Sequence, residues 1–342
     1  MTQTNPEFWP KTLSQISSQE PLTVEDAATA MRSIMDQEAT PVQVAAFLLA
    51  LRTKGETVDE MEGFAQAALE FANPVKTAGP VVDTCGTGGD RSDSFNISTT
   101  AAIVVAGAGT AVAKHGNRAA TSKCGSADLL EGLGVKIALD PAGVERCIAE
   151  AGIGFMFAPA FHPAMAYAAG IRKELKVPTA FNFLGPLTNP ARPAAQVVGV
   201  SAARMLPVLA NVFARRGVRA TVFQGLDGLD ELSTAMPSIV YEVRDHEVRK
   251  HTLDPDELEF THARVSDLRG GGVEENVAIT RSVLAGDKGP CRDVVLLNAA
   301  AALEVAGSAG SLVEGIAQAA ESIDSGAASA ALERWIKASN EG

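Results

Sequence analysis

Asp83-Thr84-Cys85-Gly86-Thr87-Gly88-Gly89-Asp90 closes a short apolar run and leads at once into Phe95-Asn96-Ile97-Ser98-Thr99. A strand, a glycine-rich turn and a helix start in that order make one unit of an α/β protein. Gly86, Gly88 and Gly89 let the backbone approach a ligand closely. Ser98 and Thr99 read as the cap of a helix whose free N–H groups favour a phosphate, so the loop reads as a polyphosphate holder. A second element of the same kind lies downstream, Ala113-Lys114-His115-Gly116-Asn117-Arg118, continuing through Thr121-Ser122-Lys123-Cys124-Gly125-Ser126-Ala127-Asp128. It sets cations, an imidazole, an amide and hydroxyls between a strand-like run and a helix start, the composition of a multi-phosphate site built from fixed donors. Lys114 ends a buried-looking strand with no acidic neighbour in sequence, so its ammonium reads as waiting for an anion.

Around these motifs the chain divides. Up to about residue 70 only helical periodicity is present, with starts at Thr23 (Asp26 three residues on), Thr40-Pro41 and Thr57 (Glu60 three residues on). After Pro80, short Val/Ile/Ala runs alternate with helical stretches, predicting strands at 81–82, 111–113, 135–139, 153–157, 196–200 and 220–224. Helical spacers of that length imply crossovers and a largely parallel sheet. Runs at 239–243 and 247–251 flank Arg244-Asp245-His246 and read as an antiparallel hairpin at one edge.

A net charge of −12 argues against general nucleic-acid or anionic-membrane binding. Lys114, Arg118 and Lys123 still form a local positive concentration able to draw a small anion. No apolar run is long enough for a membrane span, and Met1-Thr2-Gln3-Thr4-Asn5-Pro6 lacks the basic-then-apolar pattern of a secretory signal, so a cytoplasmic protein is expected. Cys85, Cys124, Cys147 and Cys291 show no paired metal spacing, and Cys85 and Cys124, inside the two loops, read as small space-fillers. Asp230-Glu231 follows the predicted strand at 220–224 and so falls on a loop at the sheet's carboxyl edge, where adjacent carboxylates suit magnesium or make an ordinary solvated turn.

The two glycine loops together resemble the anthranilate phosphoribosyltransferases. So do Phe161-His162-Pro163-Ala164-Met165, Arg172-Lys173-Glu174-Leu175, Phe181-Asn182-Phe183-Leu184-Gly185-Pro186-Leu187-Thr188-Asn189-Pro190, Gly228-Leu229-Asp230-Glu231 and Leu296-Leu297-Asn298-Ala299-Ala300-Ala301, in that family's order. The resemblance implies an α/β fold of the nucleoside phosphorylase/phosphoribosyltransferase type. A small helical domain, 1–75 with a returning segment near 166–190, would stand beside a larger α/β catalytic domain, 76–342, with a mainly parallel central sheet.

The implied reaction transfers the phosphoribosyl group from phosphoribosyl pyrophosphate to the amine of anthranilate, with Mg2+, in tryptophan biosynthesis, by a homodimer. Gly86, Thr87, Gly88, Gly89, Asp90, Asn96, Ser98, Thr99, Lys114 and Ser126 match the family's contacts to phosphoribosyl pyrophosphate. Gly86, Asn117, His162 and Arg172 match its contacts to anthranilate, Arg172 as a carboxylate fork and His162 at the entrance. Ser98, Asp230 and Glu231 match the metal positions, and Lys114, Asp230 and Glu231 the catalytic ones. Arg91 stands where the family pattern has glycine, and Ala166-Tyr167 where it often has a His-like and a basic residue. A pyrimidine nucleoside phosphorylase and a non-catalytic nucleic-acid-binding relative of the fold are the other readings; a broken metal pair or a basic stripe would favour the latter.

Overall fold

The computed structural model describes residues 5–119, 122–258, 260 and 263–341; Thr121 of the second motif and residues 1–4 lie outside them. Four helices open the chain: α1 (Phe8–Ser17), α2 (Val24–Met35), α3 (Pro41–Lys54) and α4 (Val58–Glu70). The expected caps are in place. Thr23 accepts from Asp26 N, and Thr40 with Gln43 and Thr57 with Glu60 form reciprocal capping boxes. α2 and α4 cross so closely that a Cβ on Gly63 would collide with the Val24 carbonyl. The fully buried Glu60 accepts from Leu22 N at 3.0 Å and pairs with Lys54 at 2.9 Å, satisfying a charge that would otherwise be costly there.

Strands and helices then alternate as β1 (Val82–Gly86), α5 (Ile97–Gly107), β2 (Val112–Gly116), α6 (Ser126–Leu133), α7 (Pro141–Ala151), β3 (Ile153–Phe157), α8 (Ala158–Phe161), α9 (Ala166–Leu175), β4 (Ala195–Gly199), α10 (Leu206–Arg216) and β5 (Arg219–Gly225). The hairpin β6 (Ser238–Arg244) and β7 (Glu247–Leu253) follows, then α11 (Val273–Leu284), α12 (Pro290–Ala306), α13 (Leu312–Asp324) and α14 (Ala327–Asn340). One seven-stranded sheet has the order β3-β2-β1-β4-β5-β6-β7, parallel from β3 to β5 and antiparallel in the hairpin. The hairpin turns on Asp245 and His246, both at positive φ, the conformation a two-residue turn requires.

One expected strand is absent: 135–139 is irregular. Val135 and Ile137 are buried, so the alternation in the sequence is real, but the segment packs across the core instead of joining the ladder. The Lys136 N–H goes to Ser339 on α14 at 3.0 Å instead.

Helices cover both faces of the sheet. On one, the almost wholly buried α5 is enclosed by α12, α13 and α14, with Trp335 fully buried. On the other, α10 packs on β5 to β7 and joins the opening helices into a single apolar cluster that takes in Phe181, Phe183, Leu184 and Leu187.

Candidate active site at the carboxyl edge of the sheet

Because β1 to β5 run parallel, their carboxyl ends share one edge, and the strand order reverses direction at β1, the place where open α/β sheets form ligand crevices. Gly86 pairs with Gly199 across β1 and β4. Both positions need glycine, because the Asp230 backbone lies against Gly199 and a Cβ on Gly86 would stand 2.5 Å from Asp230 Oδ2. The loop after β5 thus folds back over the first glycine loop. Gly88 N donates to Asp230 Oδ2 at 2.6 Å, and Thr87 is anchored by Gly199 O (2.9 Å) and by Ser201 N donating to its Oγ1 (3.0 Å). Gly88 and Gly89 have φ of 71° and 85°, and Arg91 also sits at 61°, a strain that glycine would not carry.

The helix start differs from its sequence reading. α5 begins at Ile97, so Ser98 and Thr99 lie within its first turn, and Asn96 at the cap position makes no side-chain cap. Glu231 Oε1 takes the Ser98 N–H instead, at 3.1 Å, and a carboxylate from another loop does the capping. Asn96 turns its Nδ2 to Cys124 O (3.1 Å), joining the two glycine motifs. Lys114 is 1% exposed; its ammonium donates to Thr84 O at 2.5 Å and approaches Ser98 Oγ at 3.4 Å. The lysine is therefore a buried brace under the helix start, with carboxylates near it in space though none in sequence.

Those carboxylates set the electrostatics. Burial, then the Asp90 charge, raises Asp230 well above the usual carboxylate range. Burial and then Asp230 raise Glu231 likewise, with Lys114 only partly offsetting this. Asp230 and Glu231 are 7% and 8% exposed, which removes the solvated-turn reading. Asp83, fully buried, is also raised by desolvation, against Lys114 and the Asn189 Nδ2 donor 2.8 Å away. Asp90 Oδ2, Asn96 Oδ1 and Thr99 Oγ1 are buried without partners. A buried site with excess negative charge and orphaned acceptor oxygens is one that a divalent cation would stabilise. Among the described residues no three His, Cys, Asp or Glu side chains stand together as a ready metal cluster. Burial raises the Cys85 thiol and lifts Cys124 to about 11, so neither is a poised nucleophile.

The second motif is brought to the same edge with one change of role. Arg118 pairs with Asp128 (2.8 Å) and Glu131 (2.5 Å), so its charge is already spent. Asp128 rather than a hydroxyl caps α6, accepting from Gly125 N at 2.9 Å. Ser126 Oγ donates to Asn117 O, and the Asn117 side chain is exposed. Lys123 lines a polar cavity of about 150 Å³ with Ser94, Ser122, Arg269 and Asn276. Asn276 was not anticipated. It accepts from Asn96 N at 3.2 Å and holds Gly271 O and Gly272 O, and the Gly270-Gly271-Gly272 run before an amphipathic helix was the available signal. A separate cavity of about 200 Å³ lies between the hairpin and α12, with Leu232 of the acidic turn in its wall.

Of the residues matched to the aromatic substrate, Arg172 on α9 stacks over Phe181 at 5.3 Å, and its guanidinium reaches Asn182 Oδ1 at 3.5 Å. No carboxylate pairs with it among the described residues, and burial lowers its pKa. His162 is not at an entrance: it is 4% exposed, with its ring 5.1 Å from that of His115. Burial lowers His115 to about 3 and His162 to about 4, leaving both imidazoles neutral at physiological pH. Tyr167 donates to Ala39 O at 2.6 Å and ties α9 to the opening helices.

A glycine loop, a helix start and a buried carboxylate pair meeting at a sheet edge define a phosphate-handling transferase site, and the comparisons agree. Residues 78–329 match the glycosyl transferase family, a/b domain, and residues 10–72 the glycosyl transferase family, helical bundle domain. The chain is 53% identical over 334 residues to an anthranilate phosphoribosyltransferase of an Arthrobacter species, covering 96% of this chain and 95% of that protein. It is 52% identical to the one of Herpetosiphon aurantiacus, over 95% and 97%. Among solved structures, the anthranilate phosphoribosyltransferase of Thermus thermophilus superposes with a TM-score of 0.91 at 44% identity, over 96% of this chain and 99% of that one. The Saccharomyces cerevisiae enzyme in complex with phosphoribosyl pyrophosphate and magnesium gives 0.91 at 29% identity, over 99% of each. This chain belongs to the anthranilate phosphoribosyltransferase family.

Proposed function

We propose that this chain transfers the 5-phosphoribosyl group of phosphoribosyl pyrophosphate to the amine of anthranilate. The bond from ribose C1 to the pyrophosphate oxygen breaks, a C1–N bond forms, and the amine gives up a proton as pyrophosphate leaves. The contact that carries this reading is the meeting of Gly88 N with Asp230 Oδ2 at 2.6 Å, which joins the phosphate loop to the acidic turn. Gly86 to Asp90, Asn96, Ser98, Thr99 and Ser126 bind the phosphates through the loops, and Lys114 braces the helix start from beneath. Asp230, Glu231 and Ser98 would hold magnesium, with Asp90, whose Oδ2 has no partner, beside them. When bound, the metal neutralises charge on the departing pyrophosphate.

Arg172 takes the anthranilate carboxylate, and Gly86, Asn117 and His162 shape its pocket, His162 as a neutral packing wall. Residues 1–75 with the segment near 166–190 form the unit that supplies Arg172, and residues 76–342 supply the rest. Exposed Val42 and Leu49 on α3 support a homodimer through the helical unit. No described helix is long and apolar enough to cross a membrane. Mixing the protein with magnesium, phosphoribosyl pyrophosphate and anthranilate, and following fluorescence of N-(5-phosphoribosyl)anthranilate, tests the reading; no product over the protein-free mixture would refute it.

A further inference from the structure

Leu296-Leu297-Asn298 lies in the middle of α12, where nearly every neighbour is apolar and buried. Asn298 is 2% exposed, and an amide there costs stability unless all its groups are paired. It is fully paired, and in an unusual way. Its Oδ1 accepts from Leu232 N at 3.0 Å, and its Nδ2 donates to Leu232 O at 2.9 Å and to Val294 O at 2.8 Å. The side chain thus engages both backbone groups of one residue, as a neighbouring strand would, although Leu232 is outside every strand. Leu232 directly follows Glu231. On its other side the turn is fixed by the close seat of the Asp230 backbone on Gly199.

We infer that Asn298 is a positioning residue which, by clamping Leu232, sets the direction in which Asp230 and Glu231 present their carboxylates. The inference rests on the metal role proposed for that pair. Held at Gly199 on one side and by Asn298 on the other, the turn keeps both carboxylates on Gly88 N (2.6 Å) and Ser98 N (3.1 Å). Without the clamp, Leu232 N and O lose their partners and the carboxylates relax apart, toward water.

The test uses Asn298→Ser, with Asn298→Ala as the more severe form. Ser322→Ala is the structural control, since it removes another buried bond, to Val104 O at 2.8 Å, between helices behind the sheet. Binding of Mn2+ in the presence of inorganic pyrophosphate, followed by electron paramagnetic resonance, reads the site without turnover. Hydrogen exchange of the peptide spanning 226–234 reads the clamp without metal. N298S should bind Mn2+ about tenfold or more weakly, the scale for losing a group that orients a metal ligand, and exchange faster at 226–234. S322A should lower Tm and alter neither. The Mn2+ titrations are run at a temperature where melts show N298S almost wholly folded, because partial unfolding would by itself raise the apparent dissociation constant. Wild-type Mn2+ affinity in N298S would overturn the inference, provided Glu231→Gln weakens Mn2+ binding; unchanged affinity in E231Q too would instead remove the metal role itself.

Discussion

Replacing both site carboxylates, as Asp230→Asn with Glu231→Gln, separates their catalytic role from their cost to the fold. The amides keep shape and an acceptor oxygen for Gly88 N and Ser98 N, now 2.6 and 3.1 Å from the carboxylates, so the turn stays in place. What disappears is charge. Loss of two anionic ligands opposite the leaving pyrophosphate should lower kcat by about a hundredfold or more, equivalent to about 3 kcal/mol of lost electrostatic stabilisation. Stability should move the other way. Both carboxyls are raised in the folded state, so their penalty is absent below the unfolded carboxylate value near pH 4 and fully present above their raised folded values. The metal-free double variant should therefore melt higher than the parent in alkaline buffer, with the gain shrinking to nothing toward pH 4. Steady-state kinetics over a magnesium titration and calorimetric melts over a pH series read the two effects. Near-normal kcat at every magnesium concentration, or a variant that melts lower at pH 8, would refute the reasoning.

Arg172→Ala should raise the anthranilate KM at least about tenfold while changing kcat less, because a carboxylate clamp acts alike on ground and transition states, and lysine should rescue only in part; kinetics with both substrates varied would show it. Lys114→Met removes a donor to Thr84 O and the cation that offsets Asp83 and Glu231, so urea unfolding should report a loss of about 3 kcal/mol or more alongside weakened substrate binding. His115 and His162, held at about 3 and about 4, should show no imidazole titration by NMR between pH 5 and 8. Their stabilisation is present above the unfolded value near 6.5 and is lost as pH falls through that value toward 4 and 3.

Local signals were legible wherever a residue type has one main physical use. Thr40 and Thr57 with their partners three residues on mark helix starts by reciprocal hydrogen bonds, and the glycine loop marks a close approach between chain segments. Reading failed where the partner is remote in sequence. Ser98 is near a helix start, but Glu231, 133 residues on, occupies its N–H. Arg118 reads as a free cation until folding brings Asp128 and Glu131 to it. The segment at 135–139 alternates like a strand because alternate residues are buried, yet burial does not require ladder bonds. Asn189 and Asn298 belong to motifs visible in the sequence, but that each holds another loop in place could be seen only in three dimensions.

Whether the acidic turn and the glycine loop jointly hold pyrophosphate and magnesium can be decided by titrating inorganic pyrophosphate calorimetrically with and without magnesium. It should be done for the parent protein and for Asp230→Asn with Glu231→Gln. Magnesium should tighten pyrophosphate binding to the parent about tenfold or more and leave binding to the double variant almost unchanged. Equal enhancement by magnesium in both proteins would contradict it.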